Sequence, residues 1–108
     1  MQTNNKIPQE KIITLIGNEK YKDLFEYFSR IFSLAGKIVL TKQIFDTSLS
    51  FELSESEKII LKTTTRYKIN MSDAIFVINL DDNLDKDTIE EIMYATIFDK
   101  KIYYYTDY

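Results

Sequence analysis

The sequence predicts a single small α/β domain built around a short parallel sheet. Short apolar runs rich in β-branched residues alternate with segments of helical period, in the order β-α-β-α-β-α-β. The chain has 108 residues, of which 44% are hydrophobic and 29% charged, so it has room for one core and a globular composition. Strands that alternate with helices favour a parallel sheet with helices packed on its faces. We expect residues 1–10 to be a flexible lead-in and residues 11–108 to form the domain.

The first half of the chain predicts a strand-helix-strand unit. Residues 12–16 are a β-branched apolar run stopped by a glycine, which is typical of a buried strand. Apolar side chains then recur every three or four residues over 21–35, which predicts a helix. Asn18 is suited to cap its start and Gly36 to end it. Residues 37–40 predict the second strand.

The second half predicts two more helices and two more strands. Ser54 and Glu57 have the spacing of a capping box, which predicts a helix start. Residues 74–78 and 102–105 are apolar runs that predict strands, and residues 49–53 alternate in a way that allows a further extended piece. The last helix carries one apolar face, formed by Ile89, Ile92, Met93 and Thr96.

Composition excludes several classes of chemistry. The chain has no cysteine and no histidine, so proton transfer would need Asp, Glu, Tyr or Lys. A net charge of −3 argues against binding to a nucleic acid polymer. No apolar run approaches the roughly 20 residues of a membrane helix, and the start lacks the features of a secretion signal. We expect a cytoplasmic protein with no membrane partner, metal or cofactor.

Three loops follow the carboxyl ends of the predicted strands, where parallel sheets bind ligands. In the first, Gly17-Asn18 offers backbone N–H groups to an anion or a sugar hydroxyl, although a tight turn with an N-cap explains the same residues. In the second and third, Phe45 and Asn79 are candidates for ligand contact.

The third loop is strongly acidic. Asp81, Asn83 and Asp85 match the first, third and fifth positions of a calcium loop. Lys86 stands where that loop needs Gly, and Ile92 where it needs Glu, so the sequence does not predict a calcium site. The acids would repel phosphate, and they also suit the start of a helix, which is a purely structural alternative.

Glu91 is the strongest candidate for chemistry. It follows Asp85 by six residues and lies beside the buried face of the last predicted helix, whereas Glu90 is the solvent-facing alternative. Two carboxylates near the strand ends suit displacement at a sugar carbon, with one as nucleophile and one handling protons.

Four segments together resemble the nucleoside 2-deoxyribosyltransferase-like family. They are residues 13–18, 72–79, 91–95 and 100–103, and they occur in the family's order and at its spacing. The resemblance implies a small flavodoxin-like (Rossmann-like) three-layer sandwich with a parallel sheet of four to five strands. It also implies cleavage or exchange of the N-glycosidic bond of a nucleoside or its monophosphate, and a homodimer or larger homo-oligomer.

The resemblance assigns roles by position. Glu91 would be the nucleophile, Asp85 the acid of the family's Asp-x-Gly-Thr segment, and Asp73 the acid that opens the third strand near the base. Thr88 closes that segment and would contact the substrate. Tyr94 would stack on a base, although helix packing explains such aromatic residues equally well.

The chain departs from the family in the loops that carry these positions. Asp87 replaces the Gly of the Asp-x-Gly-Thr segment, and Gly17-Asn18 stands where Gly-Ser is common after the first strand. Residues 81–84 replace a Gly-rich turn of many relatives, and residues 41–53 lack a glycine and a histidine that some relatives have. Three functions therefore remain open: a deoxyribosyltransferase-like enzyme, a non-catalytic binder of a nucleotide-derived ligand that serves as sensor or sequestering protein, and a structural or interaction module.

Overall fold

The computed structural model describes residues 7–43, 52–82 and 84–107. Its regular elements follow the predicted order, and short 3₁₀ turns cover 19–21, 80–82 and 105–107. The strands and helices are β1 (Ile12–Gly17), α1 (Lys22–Leu34), β2 (Ile38–Thr41), α2 (Glu55–Met71), β3 (Ala74–Ile78), α3 (Lys86–Ile97) and β4 (Lys101–Tyr104).

The four strands form one parallel sheet in the order β2-β1-β3-β4. The chain moves outward from β1 to β2 and then returns to the other side of β1 to form β3. The strand order therefore reverses between β1 and β3, at a site where open parallel sheets bind ligands beyond the carboxyl ends of their strands.

Helix α1 covers one face of the sheet. Three phenylalanines of α1 are buried against side chains of β1 and β3, and the rings of Phe28 and Phe32 contact that of Phe76 at centroid separations of 4.8 and 5.1 Å. Pro8 is buried and Ile7 packs against the same cluster. These phenylalanine side chains therefore fill the core.

Helices α2 and α3 cover the opposite face. Ile69 of α2 and Ala95 of α3 are buried with Ile16, Ile75 and Val77 of the central strands. The structure is thus an α/β sandwich of three layers, consistent with the flavodoxin-like architecture, and the predicted fold class is confirmed.

Several local predictions are confirmed, with small shifts at the boundaries. The Ser54–Glu57 capping box forms, with both reciprocal hydrogen bonds present. Asn18 accepts a hydrogen bond from the Lys20 N–H and so caps the 3₁₀ turn that precedes α1. Gly36 follows α1 with φ of +90°, which favours glycine.

The structure gives a different result for the last helix and describes only part of the segment 49–53. Of the possible extended piece at 49–53, residues 49–51 lie outside the described residues, and 52 and 53 are not in a strand. The predicted face of the last helix is wrong for Ile89, Met93 and Thr96, which are exposed, whereas Ile92 is partly buried and packs against the core. The face of α3 toward the sheet also carries Thr88, Glu91 and Ala95.

None of the helices in the described ranges combines the length and apolar character needed to cross a bilayer.

Candidate functional site

A cleft of about 500 Å³ opens on the α2–α3 side of the sheet, at the carboxyl ends of the strands. The turn after β1, the end of β2, the first half of α2 and the start of α3 form its walls. Its acidic lining residues are Glu19, Glu55, Asp85, Asp87 and Glu91. Its other lining residues are Lys42, Gln43, Leu53, Lys58, Ile59, Leu61, Lys62 and Thr65.

Glu91 is the buried acid of this cleft. Its side chain is only 8% exposed, and its Oε2 lies 4.0 Å from the Nζ of Lys42. Its Oε1 is buried and has no hydrogen-bond partner among the described residues. An unsatisfied buried carboxyl oxygen is costly, so its presence in a cleft wall marks a position where a ligand donor would be favourable.

The surroundings raise the pKa of Glu91 from 4.5 to about 7. Burial is the largest cause, because removal from water disfavours the charged form. The positive charge of Lys42 opposes this increase, the negative charges of Asp87 and Asp85 add to it, and Arg66 opposes it weakly. The carboxyl group therefore changes ionisation near neutral pH, as is common for groups that take part in proton transfer or nucleophilic attack.

Asp85 and Asp87 lie beside Glu91 at the start of α3. Asp85 is half-buried and caps the helix, since its Oδ1 accepts a hydrogen bond of 3.0 Å from the Thr88 N–H. Asp87 is exposed and pairs with Lys62 of α2, with Oδ1 3.5 Å from Nζ. The predicted grouping of Asp85 with Glu91 in one cleft is therefore present in the structure.

Thr88 is fully buried one turn before Glu91. Its Oγ1 has no hydrogen-bond partner in the described part of the chain. Among the described residues, two buried polar atoms on the same face of α3, Thr88 Oγ1 and Glu91 Oε1, thus lie without partners.

Gly17 and Asn18 both have structural roles in the turn after β1. Gly17 has φ of +150° and packs against Ile78, and its carbonyl oxygen accepts a long hydrogen bond of 3.4 Å from Lys42. The Asn18 side chain is engaged by the Lys20 N–H. The Gly17 carbonyl oxygen therefore contacts one side chain of the cleft, that of Lys42.

Asn79 and Tyr94 are engaged away from the cleft lining. Asn79 is buried, donates to the Thr106 hydroxyl at 3.1 Å and accepts from the Thr106 N–H at 3.2 Å. Tyr94 accepts a hydrogen bond of 2.6 Å from Asn70 and its ring packs against Phe98. Both side chains hold neighbouring elements together.

Asp73 lies at the other end of β3. It precedes the first residue of the strand, is exposed, and accepts a hydrogen bond of 3.4 Å from the Ile12 N–H at the start of β1. A strand of five residues is roughly 16 Å long, so the structure does not bring Asp73 to the cleft. Phe45 lies outside the described residues.

Lys42 and Lys62 are cleft residues that were not among the predicted site residues. Lys42 is the first residue after β2 and therefore stands at the ligand-binding edge of the sheet, which was the available signal. Lys62 is one of the residues that α2 turns toward the cleft at helical spacing, together with Lys58 and Thr65.

The arrangement suits displacement and proton transfer. It provides a buried acid with an open oxygen, a half-buried acid on the same helix and a lysine beside the first acid. Across the described ranges, no group of three or more Asp or Glu side chains is arranged to hold a metal ion.

In comparisons with known proteins, no family model and no curated protein matches the chain.

Proposed function

We propose that this protein is a nucleoside deoxyribosyltransferase-like enzyme that cleaves or exchanges the N-glycosidic bond of a nucleoside. The observation that carries the proposal is the carboxyl group of Glu91. It is buried in a cleft at the carboxyl ends of the strands, it faces Lys42 through one oxygen, and its other oxygen has no partner among the described residues.

In the proposed first step, Oε1 of ionised Glu91 forms a bond to the anomeric carbon while the bond from that carbon to the base breaks. The electron pair of the broken bond goes to the base nitrogen, which takes up a proton from solvent, and the carboxylate of Asp85 orients the water that supplies it. In the second step, water or a second base attacks the anomeric carbon, the ester bond to Glu91 breaks, and the acceptor gives its proton to solvent by the same route.

The charges of the cleft favour an unphosphorylated nucleoside. Its lining carries five acidic side chains and three lysines. Lys42 faces Glu91, Lys58 pairs with Glu55 at 3.2 Å, and Lys62 pairs with Asp87 at 3.5 Å. Each lysine therefore already faces a carboxylate, and a phosphate would meet a net negative wall.

A second candidate is a non-catalytic protein that binds a nucleotide-derived ligand as a sensor or sequestering protein. Asp87 favours it, because this residue puts a β-carbon and a carboxylate into the cleft lining where the family it resembles has Gly. Its pairing with Lys62 joins α3 to α2 beside the cleft. Such a cleft would bind a ligand while the Asp87 carboxylate replaces the close backbone approach that a glycine allows.

The proposal includes a cytoplasmic homodimer or larger homo-oligomer. Ile89, Met93 and Ile97 recur along α3 and are 44%, 59% and 74% exposed, which leaves apolar surface to cover. Sedimentation velocity at micromolar concentration tests this part, and a monomer across the whole concentration range would contradict it.

The decisive experiment compares Glu91→Gln with the wild type. A thermal-shift screen with nucleosides, deoxynucleosides and nucleoside monophosphates first identifies a ligand, since a ligand at 100 times its Kd stabilises by about 2.7 kcal/mol. Glu91→Gln should abolish cleavage and exchange of that ligand while largely retaining its binding, because the amide keeps the shape of the carboxylate but is not an anionic nucleophile.

Glu90→Gln is the matched control. Glu90 is the neighbouring residue of the same helix, and it pairs with Lys62 at 3.6 Å instead of lining the cleft. This variant should retain turnover. If the wild type binds a nucleoside but neither cleaves nor exchanges it during long incubation, the enzyme is excluded and the binding protein takes its place.

A further inference from the structure

Lys42 connects the end of β1 to the buried acid of α3. Its side chain is 12% exposed, and its Nζ lies 3.4 Å from the carbonyl oxygen of Gly17 and 4.0 Å from Oε2 of Glu91. A lysine side chain normally loses considerable rotamer freedom when it is buried in this way. The ammonium group lies between these two oxygens, which favours this position over other rotamers.

The contact with Lys42 gives the two carboxyl oxygens of Glu91 different surroundings. Oε2 faces an ammonium group, whereas Oε1 is buried and has no hydrogen-bond partner in the described residues. A carboxylate that is held on one oxygen presents the other in a defined direction, which is a requirement for in-line attack on a carbon atom.

The other charged groups that influence Glu91 lie at the start of its own helix, α3, and on α2. Asp85 and Asp87 stand at the start of α3, and Arg66 stands on α2. The two aspartates and burial favour the protonated form of Glu91, and Arg66 is the weakest of the five influences. Lys42 is the largest influence that favours the ionised form, which is the form a nucleophile requires.

We infer that Lys42 is the positioning residue that favours the ionised form of Glu91 and directs its Oε1 toward the ligand. This inference rests on the proposed function, in which ionised Glu91 is the nucleophile. The effect of Lys42 on the ionisation of Glu91 can nevertheless be measured without turnover. Lys42 contacts no reacting atom in this assignment and acts only through Glu91.

The experiment titrates Glu91 in the full chain by NMR of ¹³C-labelled glutamate carboxyl groups, with Glu91→Gln to assign the resonance. Lys42→Met keeps most of the side-chain length and removes the charge. We expect it to raise the titration midpoint of Glu91 by about one pH unit or more, as expected when an opposite charge within about 4–6 Å is lost. Lys42→Arg restores a charge and should return the midpoint toward that of the wild type.

Lys37→Met is the control for loss of a lysine that donates to a backbone carbonyl. Lys37 donates to the Gln9 carbonyl oxygen at 3.0 Å and does not line the cleft. This variant should leave the Glu91 midpoint unchanged. An unchanged midpoint in folded Lys42→Met, or the same change in Lys37→Met, would overturn the inference.

Where turnover is found, the pH profile of kcat/KM gives a second readout. Its acidic limb should move to higher pH in Lys42→Met by the same amount as the NMR midpoint, with a loss of about fivefold or more at pH 7 if only ionised Glu91 reacts. If the limb stays in place while the midpoint moves, Lys42 does not act through Glu91 in the reaction. Absence of turnover in the wild type would count against the proposed function alone, because the NMR titration would still decide the role of Lys42.

Discussion

Gly17 and Ile78 are partners across the parallel pairing of β1 and β3, and a Cβ atom on Gly17 would lie 2.8 Å from the carbonyl oxygen of Ile78. This approach occurs at the reversal of strand order, beside the candidate site. The backbone φ of +150° at Gly17 is also rarely adopted by residues with a side chain. Glycine is therefore required here for the approach of two strands.

Gly17→Ala should lower the free energy of unfolding by about 1–3 kcal/mol, because overpacking against a backbone atom forces the strands apart. Gly36→Ala is the matched comparison, since Gly36 also has positive φ but has open space around its Cβ position. We expect the smaller loss at Gly36. Urea denaturation measures both variants, and a Gly17→Ala protein as stable as the wild type would contradict the steric argument.

Glu91 should make the protein less stable as the pH rises. Its pKa in the folded state, about 7, is above its ordinary value of 4.5, so the folded state binds more protons than the unfolded state between these values. The contribution of Glu91 is thus fully present below about pH 4.5 and is lost by about pH 7. The loss amounts to about 3 kcal/mol at most.

Glu91→Gln does not titrate, so its stability relative to the wild type should increase between pH 4 and pH 8 by up to that amount. Urea denaturation across this range measures the difference. Glu90→Gln serves as the control, because Glu90 is the neighbouring acid and its side chain is 35% exposed; its difference from the wild type should change much less than that of Glu91→Gln. A flat difference for Glu91→Gln as well would mean that Glu91 is not a buried acid.

Asp87→Asn should shift ligand preference toward phosphorylated compounds. The change removes a negative charge from the cleft and leaves Lys62 paired with Glu90 alone. We expect the ratio of monophosphate to nucleoside affinity to increase several-fold in isothermal titration or thermal-shift measurements at low salt.

Asp81→Asn is the control for this charge effect. Asp81 is exposed in the turn after β3 and does not line the cleft, and asparagine tolerates its φ of +60°. The affinity ratio should remain that of the wild type. An equal change in both variants would indicate a general effect of net charge and would remove the argument from the cleft lining.

Asn79→Ala should lower stability and leave ligand binding unchanged. Both ends of the buried Asn79 side chain bind Thr106, so the loss should be about 1–2 kcal/mol. Thr106→Ala removes only the contact between Asn79 Nδ2 and the hydroxyl, so it should cost less. A loss of nucleoside affinity in Asn79→Ala without loss of stability would instead make Asn79 a ligand-binding residue.

The sequence by itself determined the order of elements and the parallel sheet. The β-branched runs before and after α1, together with the helical period between them, left only a strand-helix-strand unit. The Ser54–Glu57 cap and the glycine after α1 are local signals, because their hydrogen bonds and backbone angles involve residues close in sequence. The nearness of Glu91 to Asp85 could be predicted for the same reason, since both lie within two turns of one helix.

Only the tertiary structure decided which face of α3 is buried. The helix has apolar residues on more than one side, and the packing of Ala95 against the sheet turned Thr88 and Glu91 inward while Met93 remained exposed. Periodicity cannot choose between two such faces, because the choice depends on contacts with β1 and β3 that are distant in sequence.

The tertiary structure also decided which charged groups meet. Lys42 and Glu91 are 49 positions apart in the chain and lie together because β2 ends, and α3 begins, at the same edge of the sheet. Asp73 is much nearer to Glu91 in sequence, but it opens β3 and so lies at the opposite edge. Strand direction and order fix these distances, and both are set by packing of the whole chain.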